Sequence, residues 1–150
     1  MTLRALTLHR PWAWLIAHDT KRVENRDWEP PEWMIGQYLA IHAGKTWDQD
    51  GADFARMIST TMPRSSADHP IGIVAVCKVV GVIHPDAEPP SALIEGLDMR
   101  WYMGSFGWVL SDVVAIDTVP CRGAQGLWFV PSDELAKVRA GWRKAKGTAT

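Results

Sequence analysis

A chain of 150 residues, 47% apolar and 22% charged, has the size and balance of one compact domain able to bury a core without staples. Its net charge of −1 excludes a broadly basic coat, and two cysteines 44 positions apart, Cys77 and Cys121, form neither a zinc motif nor a disulfide framework. Met1-Thr2-Leu3-Arg4 lacks the apolar core of a signal peptide, and the longest apolar run, Ile71 to Ile83, carries Lys78 and is too short for a bilayer; a soluble, cytoplasmic protein with no membrane contact is expected.

Leu3 to His9 alternates as a strand, with Leu3, Ala5, Thr7 and His9 on one face. Pro11 suits the first turn of a helix, in which Trp12, Leu15 and Ile16 recur at helical spacing and which ends near Asp19. Arg22 to Arg26 reads as a short strand. Asp27 to Gly36, with Pro30-Pro31, Trp28 and Trp33, reads as an irregular loop. Gln37 to Ala43 is a buried strand, Asp50 to Thr60 a helix with Phe54, Met57 and Ile58 on one face, and Thr61 to Pro70 a loop.

Ile71 to Ile83 is the longest β-type run, and Gly81 inside it marks a bulge or a bend of the kind that closes a barrel. Residues 84–100 form a long connection through Pro85, Pro89 and Pro90; Phe106 to Ile116 and Gly126 to Val130 are further strands. Pro131-Ser132-Asp133-Glu134 opens a final helix carrying Leu135, Val138 and Trp142 at i, i+3 and i+7. The sum is an α+β fold: a curled mixed sheet or small barrel of five or six strands with about three helices.

Charge is unevenly spread. Residues 48–117 carry ten acids and four bases, whereas after Glu134 there are five bases (Lys137, Arg139, Arg143, Lys144, Lys146) and no acid. Such a patch attracts phosphate, and equally it complements a helix dipole and keeps a domain in solution. The most informative segment is Thr20 to Arg26, where Lys21, Glu24 and Arg26 follow directly on an apolar helix. Unpaired buried charge costs several kcal/mol. These side chains therefore either neutralise one another at the edge of the fold or face a pocket that receives a polar ligand.

Ala5-Leu6-Thr7-Leu8-His9-Arg10-Pro11-Trp12-Ala13 followed by Lys21-Arg22-Val23-Glu24-Asn25-Arg26-Asp27-Trp28 resembles the start of an activating-signal-cointegrator homology (ASCH) domain. That family carries Gly-x-Lys-x-x-Glu-x-Arg after a Pro-Trp helix. Lys21, Glu24 and Arg26 match, and Asp19 stands in the glycine's place; Asp tolerates left-handed turns better than most residues. Tyr38 to Ala43, the Gly72 to Val82 strand, Phe106 to Leu110 and Gly126-Leu127-Trp128 continue the resemblance, from about Ala5 to Val130. The resemblance implies a single domain over 1–150 similar to the PUA fold, a small mixed β-barrel with surrounding helices, extended by the basic C-terminal helix of 131–147. It also implies that the signature residues line a cleft, in families associated with RNA, modified bases and coactivator complexes.

Candidate ligand-binding residues are Lys21, Glu24, Arg26, Trp28, Lys45 and Arg10; for catalysis they are Lys21, Glu24 and His42. Cations beside a carboxylate bind phosphate or carbonyl groups, while the carboxylate accepts from an amino group. Aromatic rings add about 1–3 kcal/mol per stacked base, and among nine tryptophans Trp28 lies closest after the charged motif. Ser105 and Arg122, at strand ends, could approach the same mouth. No His or Cys spacing suggests a metal, and no cofactor is implied.

Three functions compete. The cleft binds RNA, single-stranded nucleic acid or a nucleoside or nucleotide; or it serves a metal-independent ribonuclease with Lys21, Lys45 or His42 in acid–base roles; or the domain docks a protein partner, as coregulators do. One branch of the superfamily resembles amidohydrolases of acetylated cytidine, with a Thr three residues after the Lys. Glu24 occupies that position and disfavours this hydrolase chemistry.

Overall fold

The computed structural model describes residues 2–148. In chain order the elements are β1 (Arg4–Arg10), α1 (Trp12–His18), β2 (Val23–Arg26), β3 (Tyr38–Trp47), α2 (Gln49–Arg56), β4 (Gly72–Ile83), α3 (Ser91–Ile94), β5 (Phe106–Val119), β6 (Leu127–Phe129) and α4 (Ser132–Thr148). Three single 3₁₀ turns punctuate the connections, at Glu32–Met34, Ser66–Asp68 and Met99–Trp101. The six strands form one mixed sheet in the order β2-β5-β4-β3-β1-β6, in which only the β1–β3 pair is parallel.

The alternation of side chains sorts the apolar residues into two cores. Leu6, Leu8, Leu39, Ile41, Cys77 and Trp108 face one side, where α1 packs against β1, β3, β4 and β5 and contributes Ala13 and Ile16. Ala5, Ala40, Val76 and Ile116 face the other, covered by Val138, Leu135 and Trp142 of α4. β4 is therefore buried on both faces along most of its length, which is why it reads as a continuous apolar run. Gly81 does mark an irregularity: the β4–β5 register shifts between Val79 and Gly81, and a Cβ there would stand 2.5 Å from Leu93.

The sheet does not close into a barrel, because β2 and β6 are its terminal strands. β6 pairs with β1 only from Arg4 to Leu6, so β1 beyond that point has no ladder partner on this side. The 84–104 connection folds back over the opposite edge, where Leu93, Ile94, Leu97 and Tyr102 cover Val23, Ile83 and Val109. The open seam lies between β2 and the distal half of β1.

Candidate functional site

The turn that delivers the charged segment is built by Arg22 and Asp19. Arg22 Nη1 donates to the carbonyls of Ile16 (3.1 Å), Asp19 (2.9 Å) and Lys21 (3.0 Å), capping the end of α1 where backbone acceptors lack helical partners. Arg22 thus turns back toward α1 and does not share a face with Glu24 and Arg26. Asp19 is extended (φ −129°, ψ −162°), so no left-handed residue is needed at this turn. Its carboxylate accepts from the Thr20 amide at 2.7 Å and from the hydroxyl of buried Ser59.

Period-two alternation then divides β2. Val23 enters the core with Ile83 and Val109. Asn25 clamps the following loop, donating to the Trp101 carbonyl at 2.9 Å and accepting from the Met103 amide at 2.8 Å. Glu24 and Arg26 point the other way, into the seam.

There Lys21, Glu24 and Arg26 form a three-membered charge network. Lys21 Nζ donates to Glu24 Oε1 at 3.1 Å and to the Val23 carbonyl. Arg26 Nε donates to Glu24 Oε2 at 3.1 Å, and its Nη2 donates to the Thr7 carbonyl at 2.8 Å. Lys21 is 1% exposed, with its ammonium 5.5 Å from the centroid of the Trp12 ring. The Arg26 side chain, 22% exposed, is the most accessible of the three. Burial pushes the Lys21 ammonium below its ordinary value; attraction and a hydrogen bond from Glu24 oppose this, and the Arg26 charge adds to it.

Thr7 joins this network to a second cluster. Its hydroxyl accepts from Trp128 Nε1 at 3.1 Å, and Trp128 meets the ring of His42 edge-on at 5.4 Å. His42 Nε2 lies 2.6 Å from the Cys121 carbonyl; a carbonyl only accepts, so Nε2 carries the proton and Nδ1 is the bare acceptor, buried and without a partner. Burial lowers the His42 pKa, partly offset by that backbone bond. His42 makes no hydrogen bond to Lys21 or Glu24.

The remaining candidates are placed elsewhere. Arg10 donates to the carbonyls of Ser66 and His69, both at 2.9 Å, and of Lys45 at 2.8 Å, tying the 61–70 loop to the ends of β1 and β3. It lines a cavity of about 230 Å³ with Trp14, His18, Asp68 and His69. The Lys45 side chain is exposed. Trp28 packs edge-on against Trp108 at 4.8 Å, and its carbonyl accepts from Trp108 Nε1 at 3.1 Å, so it belongs to the margin of the core. The Ser105 carbonyl accepts from the Tyr102 hydroxyl, and Arg122 is exposed on the β5–β6 connection. Among the described residues no three His, Cys, Asp or Glu side chains are grouped to hold a metal. No helix of the structure is long and apolar enough to cross a membrane. Thr7, Trp12 and Trp128 adjoin the network without having been candidates from sequence, although all three lie in the stretches that carry the family resemblance.

A curled, open six-stranded sheet flanked by helices, with a Lys-x-x-Glu-x-Arg strand at its seam, defines a PUA-like domain of the ASCH type. The ASCH domain model matches residues 6–118, and the chain belongs to that family. Among the solved structures that share the fold are three of the ASCH protein of Zymomonas mobilis. A tyrosine-to-phenylalanine variant gives a TM-score of 0.55 at 11% identity, covering 93% of this chain and 98% of that one. The ASCH protein without that substitution gives 0.55 at 12% identity (91% and 93% covered), and a serine-to-alanine variant gives 0.52 at 13% (91% and 94%). No curated protein sequence matches the chain.

Proposed function

We propose that the chain is a nucleic-acid-binding domain, one unit over 1–150, whose seam takes a nucleotide-like group of single-stranded RNA or a free nucleotide at Arg26. The observation that carries this reading is the way Arg26 is held. Its Nε and Nη2 are fixed by Glu24 and the Thr7 carbonyl, which leaves the two N–H groups of Nη1 for a ligand. A guanidinium so fixed loses little freedom on gripping a phosphate or a base carbonyl. Lys21 has its part in this. By neutralising Glu24 from behind, it leaves the network with a net charge of +1, so the charge of Arg26 stays available to an anion.

Thermal shift with nucleosides, nucleoside monophosphates and short RNA tests the reading. A ligand at 100 times its Kd stabilises the fold by about 2.7 kcal/mol, and Arg26→Ala should abolish most of that rise. Equal shifts for both proteins, or none with any of these ligands at millimolar concentration, would sink it. The enzyme reading rests on Lys21, whose burial moves it toward the range of a general base. It is the weaker reading, since the ammonium is enclosed and His42 is engaged with Cys121. RNA cleavage in chelator, lost in Lys21→Met, would favour it over simple binding.

A further inference from the structure

A cavity of about 430 Å³ lies away from the seam, in a groove between α4 and the beginnings of β1 and β3. Leu3 and Tyr38 form its sheet side, and Leu135, Arg139, Trp142 and Arg143 its helix side. Among the described residues no acidic side chain lines it. Tyr38, 45% exposed, and the half-buried Trp142 stand with ring centroids 6.4 Å apart at 78°. Each ring carries an ammonium over its face: Lys78 Nζ is 5.0 Å from the Tyr38 centroid and Lys146 Nζ is 5.5 Å from that of Trp142. At the rim Leu3 is followed by Arg4, whose guanidinium lies between the rings of Trp33 and Phe129, at 4.3 and 4.2 Å. Both of those rings are 53% exposed.

Helix packing alone explains Leu135 and Val138, which fill the core beneath α4. It does not explain a half-exposed tyrosine at a strand end facing two arginines across an open groove. A ligand that uses both features has planar faces for the rings and regularly spaced negative charge for the bases. An acidic peptide meets only the second requirement. Duplex RNA presents phosphates but keeps its base faces stacked inside, whereas a single strand offers both.

We propose that this groove is a second contact surface, which takes a short run of single-stranded RNA with bases against Tyr38 and Trp142 and phosphates on Arg139, Arg143 and Lys146. A base stacking on either ring takes the ammonium's place, and the long lysine side chain is then left to follow the backbone phosphates. Lys144 has no part in it, being turned to Asp117 at 3.2 Å. The inference does not depend on the seam, because no residue of the Lys21–Glu24–Arg26 network lines the groove.

Fluorescence anisotropy of the full chain with a labelled ten-nucleotide uridine strand, across a salt titration, tests it. Reversing two charges (R139E with R143E) should weaken binding at least about tenfold and lower the salt slope by about 1–2, as loss of phosphate contacts requires. Tyr38→Ala should weaken it about five- to tenfold with the salt slope unchanged, as loss of stacking requires. Lys137→Glu, on α4 but outside the groove, should change affinity by less than about twofold. Circular dichroism and melting temperature confirm that each variant is folded.

The proposal is overturned if R139E/R143E binds as the wild type does, or if Lys137→Glu loses as much, since attraction would then be diffuse. Equal affinity for the matching duplex, or tight binding of poly-glutamate with none of the uridine strand, overturns it as well. Arg26→Ala run in parallel separates the two sites. Loss in Arg26→Ala with wild-type affinity in both groove variants removes the groove and leaves the seam; the converse removes the seam and leaves the groove.

Discussion

Arg26 Nη2 donates to the carbonyl oxygen of Thr7 at 2.8 Å, and this single bond links two strands that the backbone ladder leaves apart. On β1 the ladder with β6 ends at the Leu6–Leu127 pair. The next carbonyl is satisfied by a guanidinium instead of an amide. A side-chain clasp thus holds the seam at one point without the continuous ladder of a completed barrel.

Replacing Arg26 should therefore cost stability even in the absence of ligand. In Arg26→Ala the Thr7 carbonyl loses its donor while Glu24 keeps Lys21, for an expected loss of about 1–3 kcal/mol. Arg26→Lys keeps the charge, but one ammonium cannot reproduce the fork that reaches Glu24 and Thr7 together, so it should fall in between. Urea midpoints at constant m-value measure this. A loss below about 0.5 kcal/mol in the alanine variant would mean that the clasp does not hold the seam.

The two partners of the buried pair should respond unequally. Lys21→Met removes the ammonium, keeps the apolar stem and leaves Glu24 bonded to Arg26, for about 1–2 kcal/mol. Glu24→Gln leaves a buried ammonium close to Arg26 without its counter-ion, for about 3–5 kcal/mol. The sign with pH follows from the lowered Lys21 value. The unfolded chain holds this proton more tightly than the folded one, so stability gains as pH rises through the folded value toward the ordinary 10.5. The pH slope between 8 and 10 should thus be steeper in the wild type than in Lys21→Met. Identical slopes would place Lys21 in a wetter environment than the structure gives it.

Much of this arrangement is legible in the sequence, and the illegible part has a common cause. The apolar run of β4 and the irregularity at Gly81 are local patterns, and both appear where the sequence sets them; the strand expected from Arg22 begins instead at Val23, because Arg22 turns back to cap α1. β3 continues to Trp47, past the expected end at Ala43, and β5 to Val119, past Ile116, because pairing with distant strands extends both. The ion network was legible since its members lie within six residues. Its attachment to Thr7, and through Thr7 to Trp128, spans 19 and 121 residues, which no local pattern encodes. Trp28 follows the motif closely but turns onto Trp108, a partner 80 residues away.

Gly123 should tolerate no side chain, for want of space alone. A Cβ there would stand 2.7 Å from His42 Cε1 and from Thr7 Oγ1, and 2.9 Å from His42 Nδ1. Neither neighbour yields freely: the ring is bonded to the Cys121 carbonyl and the hydroxyl to Trp128. Gly123→Ala should cost about 1–3 kcal/mol by overpacking. Gly81→Ala, which meets only the flexible end of Leu93, should cost less. Thermal melts rank the two, and the reverse order would show that the β5–β6 connection gives way more easily than the wall of the β4 bulge.

Acid should unfold this protein through its buried histidines. His42 and His69 are each 2% exposed, each with Nε2 on a carbonyl (Cys121 at 2.6 Å, Pro63 at 2.7 Å) and a buried Nδ1 without a partner. Burial lowers both pKa values below 6.5; backbone bonds offset part of this, and for His69 the Arg10 charge lowers it further while Asp68 raises it. As pH falls, the unfolded chain takes up these protons first. The stability they confer is therefore complete above about pH 6.5 and is lost as pH drops through the folded values, at up to about 1.4 kcal/mol per pH unit for each group. Between pH 7.5 and 5.5 the wild type should lose about 1–3 kcal/mol in urea titrations. The double variant His42→Gln with His69→Gln should start less stable at pH 7.5 but lose clearly less over the same interval. If its loss matches the wild type's, the acid sensitivity comes from other groups, and the two histidines are hydrated in the folded state.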